Sequence, residues 1–482
     1  MRRGSRLLYW VHRWLGIVTC LFCVMWFLSG LVMVYVPFPS WTDQERREAL
    51  PPVAMERITQ TPDDALAAAG VRTYPMLFRL EMLAGEPVYR IVATGKPVTV
   101  SAVSGKVVAE IDLDRARRHV ASAFPNAQPR HADTIDYDQW TVTRRFDPYR
   151  PLYKFALDDA AGTIVYVSSK TGEIVQDATR RERFWNWLGA VPHWIYFSPI
   201  RRDGEVWRQA VMWLSGPLII GAIAGLWVGI LRLRVVRRYA GARMSPYRGW
   251  MKWHHVGGLV GGLFLTTWIA SGWLSVSPFS LFAGSFFSET QRVAYAGWSE
   301  GRPYGVTLAA IARAGHEGAR DIAFTWIGGE VKLLASGTAG TEMADPQSGM
   351  RAPIADTALT DAGKRAFSAA TLLASERVRE EDLYWYSLHY KRPLPVLRLT
   401  FDDANATWLF LDPATGAIAA ISDRDGRAYR WLFNFPHTFD LPVLLRNPPL
   451  RDAVVWLLSI AGLIVSVSGV VVGFRVLTRR AG

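Results

Sequence analysis

Matched histidines in the two halves of the 482-residue chain are the residues best suited to chemistry. His12 opens the sequence His-Arg-Trp-Leu-Gly, and about 242 residues later His254 and His255 open His-His-Val-Gly-Gly. A second pair, His193 and His437, lies about 244 residues apart in Pro-His segments that each follow a Trp-Leu pair. Because the flanking residues recur with the histidines, the spacing predicts an internal duplication that supplies imidazoles in pairs.

Paired imidazoles at the ends of apolar helices indicate metal ligation. Ionisable side chains at membrane depth are costly, so their presence there predicts a functional site. Two neutral imidazole nitrogens from facing helices fill both axial positions of a low-spin haem iron and leave the iron for electron transfer. The pattern predicts two b-type haems, one held by His12 with His254 or His255 and one held by His193 with His437. The alternative is that each histidine only anchors its helix at the membrane interface.

Four other histidines are weaker ligand candidates. His389 lies in the aromatic stretch Tyr-Trp-Tyr-Ser-Leu-His-Tyr. It is either a packed sheet residue, a substitute haem ligand or a residue near the electron-acceptor site. His119, His131 and His316 lie in polar helical or loop sequence, and we expect them at the surface.

Small residues follow the histidines of the third apolar run. They are Gly257, Gly258, Gly261 and Gly262. Glycines on a membrane helix either let neighbouring backbones approach closely or leave room for a flat macrocycle, and the sequence supports both interpretations equally.

Other cofactor sites have no support in the sequence. The histidines lack neighbouring Cys, Asp or Glu residues at zinc-ligand spacing, and no His-Glu-x-x-His run occurs. There is also no phosphate-binding loop, dinucleotide fingerprint or Gly-x-Ser-x-Gly elbow. We therefore expect electrons to enter from a quinol or a membrane redox partner. Cys20 and Cys23 lie inside an apolar run and are expected to be bundle- or lipid-facing residues rather than a redox pair.

Four apolar runs predict four transmembrane helices, because each run is long enough to cross a hydrocarbon core of about 30 Å. The runs are approximately 15–36, 210–231, 256–279 and 454–474. Arginines are concentrated in three of the segments that flank these runs. These arginines are Arg2, Arg3, Arg6, Arg232, Arg234, Arg237, Arg238, Arg243, Arg248, Arg475, Arg479 and Arg480. By the positive-inside rule both termini and the middle loop are cytoplasmic. Membrane orientation thus explains the net charge of +13, and no nucleic-acid partner is expected.

The predicted fold class is a membrane α-helical bundle with two α+β extracytoplasmic domains and an internal duplication. A helix start at 61–69 and strand-like stretches at 86–92, 98–103, 153–157 and 164–167 indicate that each domain contains two modules, each a helix with an antiparallel sheet. The predicted transmembrane segments are 1–38, 206–233, 252–280 and 451–475. The predicted periplasmic domains are 39–205 and 281–450, and the cytoplasmic segments are 234–251 and 476–482.

These motifs together resemble the PepSY-associated transmembrane family. The matching residues are the His-Arg-Trp-Leu-Gly opening at His12 with Trp26, Ser29 and Gly30, its repeat at His254, the Pro-His segments and the Asp-Pro-Ala-Thr-Gly turn at 412–416. The resemblance covers nearly the whole chain and implies PepSY-like periplasmic domains. Members of the family include inner-membrane ferrisiderophore reductases that carry haem and deliver electrons to a ferric chelate in the periplasm.

The resemblance implies that the substrate is iron(III) held by a siderophore or another chelate. Hard oxygen donors bind iron(II) more weakly, so a single electron releases the metal. The chain is therefore predicted to be a haem-b ferric-chelate reductase of the bacterial inner membrane. A PepSY-type regulatory or peptidase-binding membrane protein without redox activity is the alternative. A permease is a third interpretation, but it would require broken helices and charged residues in mid-membrane, which are scarce.

Overall fold

The computed structural model describes residues 3–282, 286–316, 318–388 and 390–478. The helices of these residues are α1 (Arg3–Tyr35), α2 (Asp43–Ala49), α3 (Pro62–Ala68), α4 (Leu113–Ala123), α5 (Arg180–Leu188), α6 (Ala190–His193), α7 (Ser198–Arg201), α8 (Gly204–Arg232), α9 (Gly249–Leu274), α10 (Glu289–Ala296), α11 (Leu308–Ala314), α12 (Asp356–Ala366), α13 (Arg424–Tyr429), α14 (Phe435–Thr438), α15 (Pro442–Leu445) and α16 (Pro448–Thr478). A π-helical segment, Arg430–Asn434, joins α13 to α14.

The strands of the described residues all lie outside the long helices. They are β1 (Leu77–Leu83), β2 (Glu86–Ala93), β3 (Lys96–Ser101), β4 (Arg130–Ile135), β5 (Leu152–Ala156), β6 (Ile164–Ser168), β7 (Ile174–Ala178), β8 (Asp321–Ile327), β9 (Glu330–Gly337), β10 (Gly340–Ala344), β11 (Leu372–Val378), β12 (Val396–Phe401), β13 (Trp408–Leu411) and β14 (Ile418–Ser422).

Among the described residues, four helices are long and apolar enough to cross a membrane, which confirms the prediction from the apolar runs. They are α1, α8, α9 and α16, with 33, 29, 26 and 31 residues. The Asp203 side chain caps the first turn of α8 by accepting hydrogen bonds from the backbone N–H groups of Glu205 and Val206. Helix α9 ends at Leu274, just before Ser277 and Phe279, which both have left-handed backbone conformations.

The long helices form a bundle in which α1 and α9 occupy opposite corners. Each of these two helices packs along both α8 and α16. The side chains of α1 and α9 nevertheless meet across the centre, where the rings of Phe27 and Trp268 have centroids 5.4 Å apart. Residues on the inner faces of α1 and α9 are therefore the ones that converge on the bundle axis.

The extramembrane part of the chain has the predicted α+β character. In the described residues, α3, α4, α11 and α12 each precede a group of antiparallel strands. Helix α3 starts as the sequence predicts, because Thr61 and Asp64 form a capping box and Pro62 occupies the first helical turn. Each long extramembrane segment thus contains two helix-plus-sheet modules.

The first modules of the two segments share one sheet, which the sequence did not predict. Among the described strands, the order is β10-β9-β8-β1-β2-β3, and β1 pairs with β8 in antiparallel register, with Leu80 opposite Ile322. Aromatic residues from both segments pack in the same core, where the rings of Phe78 and Phe324 lie 4.9 Å apart. The remaining described strands form two separate sheets, β4-β5-β6-β7 and β11-β12-β13-β14.

A buried ion network crosses the junction between β1 and β8. Glu81 of β1 lies 2.8 Å from Arg79, 2.9 Å from Arg90 and 3.0 Å from Arg46 of α2. Arg46 also pairs with Asp321 of β8. Burial alone would raise the pKa of Glu81, but the three guanidinium groups lower it to about 2. The network therefore ties α2 and both halves of the shared sheet together through Arg46, which pairs with a carboxylate of each half.

We predict that Glu81→Gln lowers the free energy of unfolding at neutral pH by about 3–5 kcal/mol, because buried guanidinium groups lose their counter-charge. Since the pKa of Glu81 is lowered from 4.5 to about 2, its contribution is present above pH 4.5 and is lost as the pH falls towards 2. The difference between variant and parent should therefore shrink in that range. Denaturant unfolding of the detergent-solubilised chain at pH 7 and pH 3 measures the difference in unfolding free energy between variant and parent.

The control is Asp114→Asn, because Asp114 pairs with Arg117 at the surface with 74% of its side chain exposed. This variant should cost less than about 1 kcal/mol. Equal effects of the two substitutions at pH 7 would contradict the assigned role of Glu81.

Candidate functional site

His12 of α1 and His254 of α9 face each other at one end of the bundle. Their ring centroids lie 5.9 Å apart. The Nδ1 atom of His12 is 3.0 Å from the carbonyl oxygen of Gly221 on α8, and that of His254 is 3.2 Å from the carbonyl oxygen of Val465 on α16. A carbonyl oxygen only accepts hydrogen bonds, so each Nδ1 carries the proton and each Nε2 keeps a lone pair. Metal-ligating histidines are commonly oriented in this way.

His193 of α6 and His437 of α14 form a second pair at the other end, with ring centroids 6.1 Å apart. The Nδ1 atom of His193 lies 3.1 Å from Ser29 Oγ and 3.1 Å from the carbonyl oxygen of Trp26, and that of His437 lies 3.0 Å from Ser271 Oγ. Both serine hydroxyls already donate to backbone carbonyl oxygens of their own helices. The hydroxyl oxygens therefore accept from the imidazoles, and Nε2 again keeps its lone pair.

Two tryptophans hold the backbone of these outer histidines. The indole Nε1 of Trp26 donates to the carbonyl oxygen of His193 at 2.9 Å, and that of Trp268 donates to the carbonyl oxygen of His437 at 3.0 Å. Trp26 and Trp268 belong to α1 and α9, so the short helices α6 and α14 are docked directly on the diagonal pair of membrane helices. The recurring tryptophans of the sequence are therefore positioning residues for the outer pair.

A glycine of a membrane helix lies against each of the four imidazole rings. A Cβ atom added to Gly225 of α8 would lie 2.4 Å from Cε1 of His12, and one added to Gly469 of α16 would lie 3.3 Å from Cε1 of His254. The corresponding distances are 3.1 Å from Gly30 to His193 and 3.3 Å from Gly272 to His437. Any larger residue at Gly225 would displace the ring of His12. The sequence contains these glycines, but only the structure shows which of them face the histidines.

The four glycines after His255 have a different role. A Cβ atom on Gly261 would lie 2.3 Å from the carbonyl oxygen of Ala461, and one on Gly257 would lie 2.9 Å from the Ile464 side chain. Gly258 and Gly262 face Val465 and Leu226 in the same manner. Of the two predicted roles, the structure therefore assigns close helix packing to these residues.

His254 and His255 have different surroundings. His255 is buried, and both of its ring nitrogens have partners, Ser245 Oγ at 2.8 Å and the carbonyl oxygen of Gly229 at 2.9 Å. These contacts join the loop between α8 and α9 to the end of α8. The geometry therefore favours His254 as the partner of His12 and gives His255 a structural role.

The remaining histidines lie away from both pairs or outside the described residues. His389 is one of the residues that the structure does not describe. The prediction that His119 is a surface residue is wrong, because the helical period of α4 places it with Ala116 and Val120 on the buried face. Burial lowers the pKa of His119 to about 4, and Arg90 contributes to this shift. His131 is half-buried and contacts Thr134, and His316 is exposed.

Each pair supplies only two imidazoles, which limits the kind of metal group that it could hold. Zinc sites in proteins use three or four protein ligands. Within the described residues, no group of three or more His, Cys, Asp or Glu side chains is placed to hold a metal ion. Two neutral imidazoles with free Nε2 atoms, about 6 Å apart between ring centroids, are of the residue type and protonation state that a bis-histidine haem would require. His12, His254, His193 and His437 would hold the two groups.

The cysteines do not form part of either pair. Cys23 is buried in the bundle against Leu218 and Ile269, as expected for a bundle-facing residue. Cys20 is half-buried, and its thiol lies 3.8 Å from the carbonyl oxygen of Ile17 one turn earlier. The surroundings of the two thiols are therefore those of ordinary side chains on a helix of the bundle.

A comparison with protein families identifies a family that includes most of the chain. The family model described as the PepSY-associated TM region matches residues 9–363, which is well over half of the chain. The match includes His12, His193, His254 and His255. No curated protein matches the chain.

We predict that Gly225→Ala displaces the His12 ring and lowers the stability of the bundle by about 1–3 kcal/mol, because the new methyl group overlaps the imidazole. The measurement is thermal unfolding of the purified protein in detergent. The matched control is Gly16→Ala in α1, where an added Cβ meets nothing within 4 Å. Indistinguishable unfolding temperatures for the two variants would contradict the contact between Gly225 and His12.

Proposed function

The chain belongs to the PepSY-associated transmembrane family, and from this membership we propose that it is a haem-b electron-transfer protein of the bacterial inner membrane. It reduces iron(III) held by a siderophore or another chelate in the periplasm. The observation that carries the proposal is the convergence of His12 with His254 and of His193 with His437, each with Nδ1 hydrogen-bonded and Nε2 free. A protein that only binds a partner has no need of such pairs.

The positions of the two pairs support transfer across the membrane. His12 lies near the start of α1, and Gly30, which contacts His193, lies near its end. At about 1.5 Å per residue, the separation along the helix is about 27 Å, which is close to the thickness of the hydrocarbon core. When bound, the two haems supply one-electron redox chemistry at the two faces.

The arginine distribution supports the proposed orientation. Arg232 and Arg234 lie at the end of α8 that is closest to His255 and hence to the pair formed by His12 and His254, the inner pair. By the positive-inside rule this end is cytoplasmic. The sheets then lie in the periplasm, and His193 and His437 lie at the periplasmic end of the bundle. Electrons would enter near His12 from a quinol or a membrane redox partner.

The chemistry at the outer face is a one-electron transfer to the chelated iron. The chelate accepts one electron, iron(III) becomes iron(II), and no bond to the protein forms or breaks. Hard oxygen donors hold iron(II) more weakly, so reduction releases the metal. The protein's own contribution is to hold the ligands, through Ser29 and Ser271 at Nδ1 and through the indole groups of Trp26 and Trp268 at the backbone.

The equivalent contacts of the two halves support an origin by duplication. Trp26 and Trp268 hold the outer histidines in the same way, and Gly225 and Gly469 both flank inner histidines. The two halves are then parallel repeats about an axis along the membrane normal.

Anaerobic reoxidation tests the proposed activity. The purified protein is reduced with dithionite, freed of excess reductant and mixed with a ferric hydroxamate, catecholate or carboxylate chelate in the presence of a chromogenic iron(II) trap. We expect one iron(II) to appear for each electron lost from the protein. A reduced protein that none of the three chelate classes reoxidises would contradict the assignment as a ferric-chelate reductase.

We predict that His193→Ala or His437→Ala removes one haem and leaves the other, because each haem depends on its own pair of imidazoles. A pyridine haemochrome count per chain measures the loss. His316→Ala, at an exposed position, is the control and should keep the haem content of the parent. Equal haem content in parent, His193→Ala and His437→Ala would contradict the ligand assignment.

A further inference from the structure

The two outer histidines lie in segments that contain different charged residues. His437 lies between Arg430, at the start of the π-helical segment, and Asp440, three residues after the histidine. Arg430 is 4% exposed and Asp440 is 0% exposed, so both charges are removed from water. An oppositely charged pair at this depth contributes little net stability, which points to a role in fixing a particular arrangement.

Arg430, Asp440 and Tyr386 form one connected cluster. Arg430 Nη1 lies 2.8 Å from Asp440 Oδ1, and Arg430 Nη2 donates to the carbonyl oxygen of Asp440 at 3.2 Å. The Tyr386 hydroxyl donates to Asp440 Oδ2. Arg430 Nε donates to the carbonyl oxygen of Leu383 at 2.9 Å, so the cluster connects the segment that carries His437 to the extramembrane domain.

Two members of the cluster, Arg430 and Asp440, lie at the two ends of a strained segment. Phe439, between His437 and Asp440, has a φ of 52°, which a bulky residue adopts only when its surroundings enforce it. The π-helical hydrogen bonding before α14 is a second departure from regular helix geometry, of a kind that is frequent at functional sites. Because Arg430 and Asp440 bracket both irregularities, their contact holds the ends of the segment together.

The first half of the chain lacks this charged cluster. At the same displacement of about 244 residues, Asn186 corresponds to Arg430 and Tyr196 corresponds to Asp440. Asn186 is buried and donates to the carbonyl oxygens of Pro37 and Glu182, so it holds the segment before His193 with neutral hydrogen bonds. The backbone irregularity is nevertheless shared, because Ile195 has a φ of 53°.

We propose that Arg430, Asp440 and Tyr386 are positioning residues for His437, and that they give the outer site an asymmetric charge distribution which tunes its redox potential. The claim about positioning concerns this chain alone, whereas the claim about the redox potential rests on the proposed function. Removal of the Asp440 charge leaves Arg430 uncompensated in a low-dielectric region, which disfavours the oxidised, more positive haem. The outer potential should therefore rise, and the inner potential should not change.

The experiment compares the full-length parent with Asp440→Asn, Tyr386→Phe and a control. The control is Asp356→Asn, which removes a partly exposed ion pair with Arg377 elsewhere in the same extramembrane segment. The first measurement is a spectroscopic redox titration that resolves the two haems. We expect an upward shift of one midpoint potential in Asp440→Asn, a much smaller change in Tyr386→Phe, which leaves the Asp440 charge in place, and no shift in the control.

The second measurement is amide hydrogen exchange of peptides covering 430–440 in haem-free protein. We expect exchange in Asp440→Asn to be about a hundredfold faster than in the parent, because the buried pair is broken. Unchanged exchange and unchanged potentials would overturn the proposal, as would equal shifts of both potentials. A parent that binds no haem would refute the proposed function, and the exchange comparison would still decide the positioning role. If Asp440→Asn does not fold, faster exchange of the same peptides in Tyr386→Phe than in the parent supports the positioning role, and unchanged exchange overturns it.

Discussion

The need to satisfy the Nδ1–H group of each imidazole within an apolar bundle shapes the surroundings of all four paired histidines. Burying an N–H group without an acceptor typically costs about 1–3 kcal/mol in proteins, and the cost is higher in fully apolar surroundings. The chain meets this need with backbone carbonyl oxygens for His12 and His254, with a serine hydroxyl for His437, and with both a serine hydroxyl and the Trp26 carbonyl oxygen for His193. Each solution fixes the ring so that Nε2 remains free, and the flanking glycines supply the space that the fixed ring requires.

The hydrogen bonds that satisfy the Nδ1–H groups of His193 and His437 also join the bundle to the extramembrane part. The outer histidines belong to short helices outside the membrane spans, and their rings contact α1 and α9. A rotation of the extramembrane part relative to the bundle would therefore separate His193 from Ser29 and His437 from Ser271. The pairing of β1 with β8 and the contact of Arg46 with both Glu81 and Asp321 couple the two halves and oppose such a movement.

The sequence predicted the membrane helices and most of the module elements because their signals are local. Apolar length identifies a span, and Pro62 with the acidic residues after it identifies the start of α3. Strand-like stretches at 86–92 and 164–167 correspond to β2 and β6. The pairing of β1 with β8 could not be predicted, because it joins segments about 240 residues apart and its register depends on contacts that no local pattern encodes.

The candidate site could be predicted only in outline. The repeat brought out His12, His193, His254 and His437, but the choice between His254 and His255 depends on a rotation of about 100° about α9, which the apolar pattern of a membrane helix does not determine. The helical period of α4 could have shown that His119 shares a face with Ala116 and Val120, but its polar neighbours concealed this. The cluster of Arg430, Asp440 and Tyr386 joins residues from two segments, so its members look like ordinary surface residues in the sequence.

The reduced-minus-oxidised optical spectrum of the detergent-purified protein, combined with a pyridine haemochrome count, tests the central claim most directly. The paired histidines predict low-spin b-type bands and about two haems per chain. A protein that stays colourless when it is expressed with added haem would contradict the account, and the regulatory alternative would then have to explain the four oriented imidazoles.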